Sequence, residues 1–215
     1  MTIPHLPDPQ SDPQLAPLLA LLAARAVPGR RFLLGLVGAP GAGKSTVAER
    51  LVQSLPGRAV VVPMDGYHLA NSELARLGRA GRKGAPDTFD SAGYVALLAR
   101  LRQHAAGETV YAPQYRRELE EGVAGAIAVA ESVELVITEG NYLLLEQDHW
   151  GGVRPLLDAV CYIDIEPDLR RRRLLERHMR FGRDEADARA WIESTDEPNA
   201  RLIEQGRARA DLVLG

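Results

Sequence analysis

Residues 38–45 read Gly38-Ala39-Pro40-Gly41-Ala42-Gly43-Lys44-Ser45, a complete GxxxxGK[ST] phosphate loop, and the apolar run Phe32–Val37 leads directly into it. Few motifs constrain a fold so tightly. A buried strand must deliver the chain to a turn in which successive backbone N–H groups point inward at phosphate oxygens, and a helix must start at once on the other side. In that arrangement Lys44 supplies a point charge to the outer phosphates and the Ser45 hydroxyl is placed to ligate Mg²⁺, with Thr46 beside it in the same cradle. The positive end of the helix that follows, read over 45–55, faces the same anion. The chemistry implied is the binding of a nucleoside triphosphate.

Strand-like runs at 32–37, 59–64, 109–112, 133–138, 160–165 and 210–214 alternate with helical patterns at 14–26, 45–55, 91–104, 151–158 and 167–180. Such alternation implies right-handed crossovers and a mainly parallel sheet covered on both faces. The fold class expected is therefore α/β, a three-layer P-loop NTPase fold with a helical, Arg-rich lid at about 168–195. Residues 111–130 lack helical character, and 124–130 read as a further strand of a small hairpin. At 215 residues the chain is read as a single domain, with the proline-rich residues 1–13 as a loose arm.

Composition excludes several classes. The longest apolar stretch, 15–24, contains Pro17 and is too short to span a bilayer, and the segment before it carries Asp8 and Asp12 without Lys or Arg, unlike a signal peptide. A lone Cys161 rules out an internal disulfide and a cysteine metal cluster, and suits the cytoplasm. The histidines His5, His104, His149 and His178 have no metal-ligand spacing. A formal charge of −3 gives no reason to invoke nucleic acid. Of the 26 basic residues only Lys44 and Lys83 are lysines, so ordinary solvent charge is carried by Arg and each lysine invites a specific explanation.

Ligands of open parallel sheets sit beyond the carboxyl ends of the strands. Asp65 directly follows 59–64, and Glu139 lies directly after 133–138. Asp65 is expected to face the phosphate loop from one strand over and to accept the proton of an attacking hydroxyl, and Glu139 to stand near the metal or its water. Within 168–183, Arg173, Arg177 and Arg180 fall at i, i+4 and i+7, so one helix face can present guanidinium groups to a triphosphate, with Gly182 as a hinge. Arg173 and Arg177 are the preferred pair. Trp150 and Trp191 read as packing residues.

The phosphate loop, Asp65-Gly66-Tyr67-His68, the run Gly-Arg-Lys-Gly-Ala-Pro-Asp at 81–87, Tyr111-Ala112-Pro113-Gln114-Tyr115 and Glu139-Gly140-Asn141-Tyr142-Leu143 together resemble the phosphoribulokinase, uridine kinase and bacterial pantothenate kinase superfamily. The resemblance is strongest to its nucleoside/nucleotide kinase-like branch, which includes fructose kinase-like proteins, and it runs from residue 31 to 215. It implies Asp65 as catalytic base, Glu139 as the metal-side carboxylate, Arg173 and Arg177 as lid arginines, and Pro198-Asn199 with 207–210 as a segment near the adenine. Lys83 lies in the stretch that borders the acceptor site in the resembling proteins. His68 reads as an acceptor contact or a structural hydrogen-bond partner, and Tyr111, Tyr115 and Arg117 as acceptor-side residues. Two departures stand out: Arg116 replaces an Asp of the uridine kinases, and Gln205-Gly206 replaces the Pro-Thr of the pantothenate kinases. The absence of an NKxD motif favours ATP over GTP.

The expectation is a cytoplasmic kinase that transfers the γ-phosphoryl group of ATP, with Mg²⁺, to a hydroxyl of a small polar metabolite such as a sugar, nucleoside or pantothenate-like alcohol. No nucleic-acid or membrane partner is expected, and a homodimer is left open. Arg116 and Arg117 hint at an anionic acceptor. Two rivals are an ATPase or nucleotide-dependent regulatory protein with no acceptor, and a nucleic-acid end kinase using the Arg-rich helix.

Overall fold

The computed structural model describes residues 12–27 and 29–215; the arm read at 1–13 and His5 lie almost wholly or wholly outside them. Seven strands and seven α-helices lie along these residues. The strands are β1 (Phe32–Val37), β2 (Ala59–Val61), β3 (Val110–Arg116), β4 (Glu121–Val129), β5 (Leu135–Gly140), β6 (Ala159–Ile163) and β7 (Leu212–Leu214). The helices are α1 (Ala16–Arg25), α2 (Lys44–Ser54), α3 (Asn71–Arg76), α4 (Ser91–Gln103), α5 (Pro167–Arg180), α6 (Glu185–Trp191) and α7 (Glu197–Glu204). Helix and strand alternate up to β2 and then run in groups, α3–α4, β3–β6 and α5–α7.

Five strands form a parallel sheet in the order β2-β5-β1-β6-β7, and β3 and β4 pair antiparallel in a separate hairpin. All six residues of β1 are buried, as a central strand covered on both faces requires. Alternation divides them: Phe32, Leu34 and Leu36 point into the core under α1 and α2, while Leu33 and Val37 point into the core with Tyr94, Leu97, Leu98 and Leu101 of α4. Buried Arg31 ties the start of β1 to its surroundings, its guanidinium donating to the carbonyls of Val133, Leu101 and Ala130.

Local sequence explains where the elements depart from expectation. The strand read at 59–64 closes as a regular strand at Val61, with Val62 N still donating to Ile137 O at 2.8 Å, before Pro63 interrupts the ladder and opens a 3₁₀ turn, Met64–Tyr67. The helix read at 151–158 is instead two 3₁₀ turns, Asp148–Gly152 and Arg154–Leu156, because Gly151, Gly152 and Pro155 deny it helical backbone preference. α4 closes at Gln103 with left-handed His104, φ 48°, as its cap, within one residue of the 91–104 read from the sequence. The hairpin is longer than expected, and a register shift with β4 at Ala112/Gln114 bends it.

The hairpin packs directly on the 3₁₀ turn. A Cβ at Gly66 would lie 2.4 Å from the Pro113 carbonyl oxygen, and one at Gly122 would lie 2.5 Å from the Gly66 carbonyl oxygen. Backbone therefore meets backbone beside Asp65, and neither contact tolerates a side chain. Gly66→Ala is expected to cost about 1–3 kcal/mol of stability and to lower turnover by displacing Asp65, while the thermal shift induced by ATP is retained. Melting curves with and without nucleotide, alongside turnover, check this; a Gly66→Ala protein with unaltered melting point and rate would contradict the docking argument.

Candidate active site

The phosphate loop follows β1 as expected. Gly41 and Gly43 have φ of 82° and 96°, which L side chains avoid, and a Cβ at Gly38 would meet the Ile163 carbonyl at 2.6 Å. α2 begins at Lys44 with Gly43 as its cap. The Lys44 ammonium is buried and donates to three acceptors: Gly38 O at 2.9 Å, Ala39 O at 3.1 Å and Asn141 Oδ1 at 2.8 Å. Burial pushes its pKa down, against the opposing pull of the Glu139 and Asp65 carboxylates.

β5 lies beside β1, in register Val37 with Gly140, and sets Glu139 next to the loop. Its Oε1 accepts from the Ser45 hydroxyl at 2.9 Å. Burial, then the nearby Asp65 charge, raises the Glu139 carboxyl above its ordinary value, with Lys44 and the Ser45 hydrogen bond pulling the other way. The strand adjacent to the loop thus carries Glu139. Asp65 comes from two strands over, beyond β5, which corrects the expectation of one. It still reaches the same crevice, because the 3₁₀ turn after Pro63 carries the chain back over the strand ends.

His68 fixes that turn from behind. Its backbone N–H and its Nδ1 both engage the Asp65 carbonyl, at 3.1 and 2.8 Å; a carbonyl only accepts, so Nδ1 carries the hydrogen. The imidazole is held between Phe89 and Tyr115, with ring centroids 4.0 and 4.7 Å away.

The lid helix closes the other side. α5 rests against the loop through Leu174, whose Cγ would sit 2.9 Å from a Cβ at Gly41. Arg173, Arg177 and Arg180 all line the crevice, as their spacing predicts. The lid turns at Gly182, φ 96°. A crevice of about 770 Å³ results, lined by Pro40, Gly41, Gly43, Lys44, Ser45 and Thr46 from the loop, and by Asp65, His68, Lys83, Tyr115, Arg117 and Glu139 opposite. Gly38, Ala39 and Ala42 of the same loop are buried and do not line it. A second concavity of about 630 Å³ lies on a different face of α5, between Arg171, Arg172 and Leu175 on one side and Arg189 of α6, Ile192, Glu193 and residues of α7 on the other; it includes no part of the phosphate loop.

Tyr111 is not brought to the crevice. It is 60% exposed on the hairpin, four residues of strand, or roughly 13 Å, from Tyr115. Among the residues that sequence reasoning passed over, several face the crevice, notably Asn141, which anchors Lys44; Asp196, which pairs with His178 at 2.8 Å; and Trp191, read as a packing residue but lining the crevice with Arg183 stacked 4.1 Å from its centroid. Asn141 stood inside a quoted motif. Asp196 and Trp191 depend on the π-helical segment Ile192–Asp196, which no spacing in the sequence announces. Asn199 also lines the crevice, whereas Arg207 pairs with Asp164 at 2.9 Å.

Residues 33–215 match the family described as Phosphoribulokinase / Uridine kinase family. The chain belongs to that family. This member is 36% identical over 205 residues to "Uncharacterized protein YggC" of Escherichia coli (strain K12), covering 92% of this chain and 84% of that one. It is 30% identical over 167 residues to a pantothenate kinase of Lacticaseibacillus casei (strain BL23), covering 74% of this chain and 53%, about half, of that enzyme. Among solved structures it resembles a "putative fructose transport system kinase" from Silicibacter sp. TM1040, with a TM-score of 0.85 and 36% identity over 94% of this chain and 98% of that one. As a phosphoribulokinase / uridine kinase family member it is an ATP-dependent phosphotransferase. Among the described residues no helix is long and apolar enough to cross a membrane, and no group of three or more His, Cys, Asp and Glu side chains is arranged to hold a metal ion.

The placement of His68 has a measurable consequence. Burial, the largest influence, holds its pKa below the ordinary 6.5. The unfolded chain therefore takes up this proton first, and the contribution of His68 to stability is full above about 6.5 and lost as pH falls through that value toward the folded one. His68→Gln is expected to flatten the fall in melting temperature between about pH 7.5 and pH 5.5; parallel profiles for the two proteins would contradict it.

Proposed function

We propose that this kinase transfers the γ-phosphoryl group of ATP to a hydroxyl of a small polar metabolite, with Asp65 as the base. The observation that carries the reading is the convergence on one crevice of the phosphate loop, two carboxylates from successive strand ends and a row of lid arginines. A volume of about 770 Å³ shared between a triphosphate and an acceptor favours a small acceptor over a macromolecule.

Each group has a task that follows from its chemistry. Lys44 is compact enough to swing from the loop carbonyls to the outer phosphates, where a planar guanidinium would not fit. Arg173 and Arg177 approach from the lid and neutralise charge as it spreads over the migrating group. Asp65, with its backbone pinned by His68, orients the acceptor hydroxyl and takes its proton, while closure of α5 excludes water.

Ser45 Oγ and Glu139 Oε1, 2.9 Å apart, form an oxygen donor pair suited to a hard cation that keeps phosphate and water ligands. These residues fit Mg²⁺, which when bound supplies charge neutralisation at the phosphates. The raised pKa of the half-buried Glu139 carboxylate, caused chiefly by desolvation, suits it to a positive partner.

Two substitutions test the assignment with separate readouts. Asp65→Asn is expected to lose turnover on the order of 10²- to 10⁴-fold while keeping the ATP-induced thermal shift, and unchanged turnover would remove Asp65 from the mechanism. Lys44→Ala should lose that thermal shift itself. The acceptor is sought by ATP consumption across a metabolite library with mass detection of the phosphorylated product. Hydrolysis at full rate that no acceptor raises would instead indicate an ATPase.

A further inference from the structure

The acceptor side of the crevice holds a guanidinium that the fold leaves uncommitted. Arg117 stands at the turn between β3 and β4, lines the crevice, and its side chain makes no hydrogen bond or ion pair among the described residues. Its contact is the ring of Phe181 at the end of the lid helix, 5.5 Å from the centroid. Arginines elsewhere around the lid and the loop after α3 are used otherwise: Arg79 and Arg82 pair with Asp87, and Arg170 and Arg171 with Glu197.

Lys83, the other cation on this wall, is committed to holding the hairpin tip. Its Nζ donates to Asn71 Oδ1 at 2.6 Å and to the carbonyl of Glu120, and lies 5.3 Å from the centroid of Tyr115. Glu120 is left-handed at φ 53°, a conformation that residues with a Cβ disfavour, and Asn71 Nδ2 also donates to its carbonyl at 3.3 Å. Two donors from α3 and the loop after it thus fasten the strained turn that carries Arg117. The Glu120 carboxylate is the foremost charge acting on Lys83 and on Tyr115, so it is answered by Lys83. Arg117 is left without an ion-pair partner among the described residues, the Glu139 carboxylate feeling its charge only at longer range.

Arg177 faces the same volume from the lid, and Arg117 is the charge that acts on it most strongly. Two unpaired guanidinium groups that are each other's neighbours favour an anion beside them. Triphosphate oxygens satisfy Arg177, which follows Arg173 along the loop side; Arg173 Nη1 would lie 3.5 Å from a Cβ at Gly43. Arg117 lies instead on the side of His68 and Tyr115.

We infer that the phosphoryl acceptor carries an oxyanion, a carboxylate or a phosphate, bound by Arg117 while its hydroxyl meets Asp65. This rests on the kinase reading above. A neutral acceptor would leave Arg117 desolvated without a partner each time the lid closes, which is unfavourable. The site therefore selects against neutral sugars and nucleosides as well as for anions.

The test uses matched pairs: D-glycerate and glycerol, D-gluconate and D-glucitol, D-fructose 6-phosphate and D-fructose, uridine monophosphate and uridine. Each is offered as acceptor with MgATP, and titrated against the protein loaded with a non-hydrolysable ATP analogue and magnesium. An anionic member is expected to exceed its neutral partner by roughly tenfold or more in kcat/KM, the worth of one charge-assisted hydrogen bond, and the pairs separate carboxylate from phosphate. Arg117→Ala should erase that ratio through KM, and Arg117→Lys should restore part of it; a purely structural lesion would lower both members alike. A neutral member used at least as well, a ratio unchanged in Arg117→Ala, or no binding of any anionic member to the nucleotide-loaded protein would overturn the inference. Failure of the ATP analogue itself to bind would be a different result, and would take the kinase reading with it.

Discussion

A buried ammonium organises this molecule. Lys44 has three N–H donors and meets three acceptors, the Gly38 and Ala39 carbonyls and the Asn141 amide. Burying a cation this fully is costly unless every donor is satisfied and opposite charge is close. Both conditions are inherited from the sheet. The pairing of β1 with β5 brings Asn141 and Glu139 alongside the loop, and the left-handed glycines let the loop turn its own carbonyls onto the lysine. In the proposed reaction phosphate oxygens take the place of those carbonyls around the same ammonium.

The two carboxylates divide their work by environment. Glu139, half-buried and hydrogen-bonded to Ser45, sits where a cation would relieve its raised pKa. Asp65 lies at the far side of the crevice on a turn pinned by His68 and pressed by the hairpin. The same hairpin carries Tyr115 and Arg117, so the acceptor contacts and the base proposed above share one mechanical support. The lid approaches from the opposite direction through α5, and Phe181 meeting Arg117 is where the two halves touch.

Much of this was legible in the chain because short-range physics dictates it. The strand, glycine turn and helix around Lys44 need no tertiary information, and α5 runs over the residues its pattern indicates because Pro167 opens it and Gly182 follows its end. The i, i+4, i+7 spacing of Arg173, Arg177 and Arg180 likewise survives folding intact. What escaped was set by contacts distant in sequence. Strand order decides that Asp65 stands two strands from the loop, and no local pattern encodes strand order. Tyr111 and Tyr115 look equivalent in sequence, yet only the second lies at the end of the hairpin that the crevice reaches. Asp196 and Trp191 are turned inward by a π-helical segment whose extra residue per turn has no signature in spacing. The helix read at 151–158 failed for a local reason that was visible, since Gly151, Gly152 and Pro155 all oppose it.

The central claim is that a triphosphate seated on Lys44 points its terminal group across the crevice at Asp65. A crystal structure with a non-hydrolysable ATP analogue and magnesium measures this most directly. The account predicts the γ-phosphate in contact with Lys44 and a lid arginine, with space for one acceptor hydroxyl between it and the Asp65 carboxylate. A terminal phosphate directed away from Asp65, or one separated from it by an intact protein wall, would contradict the account.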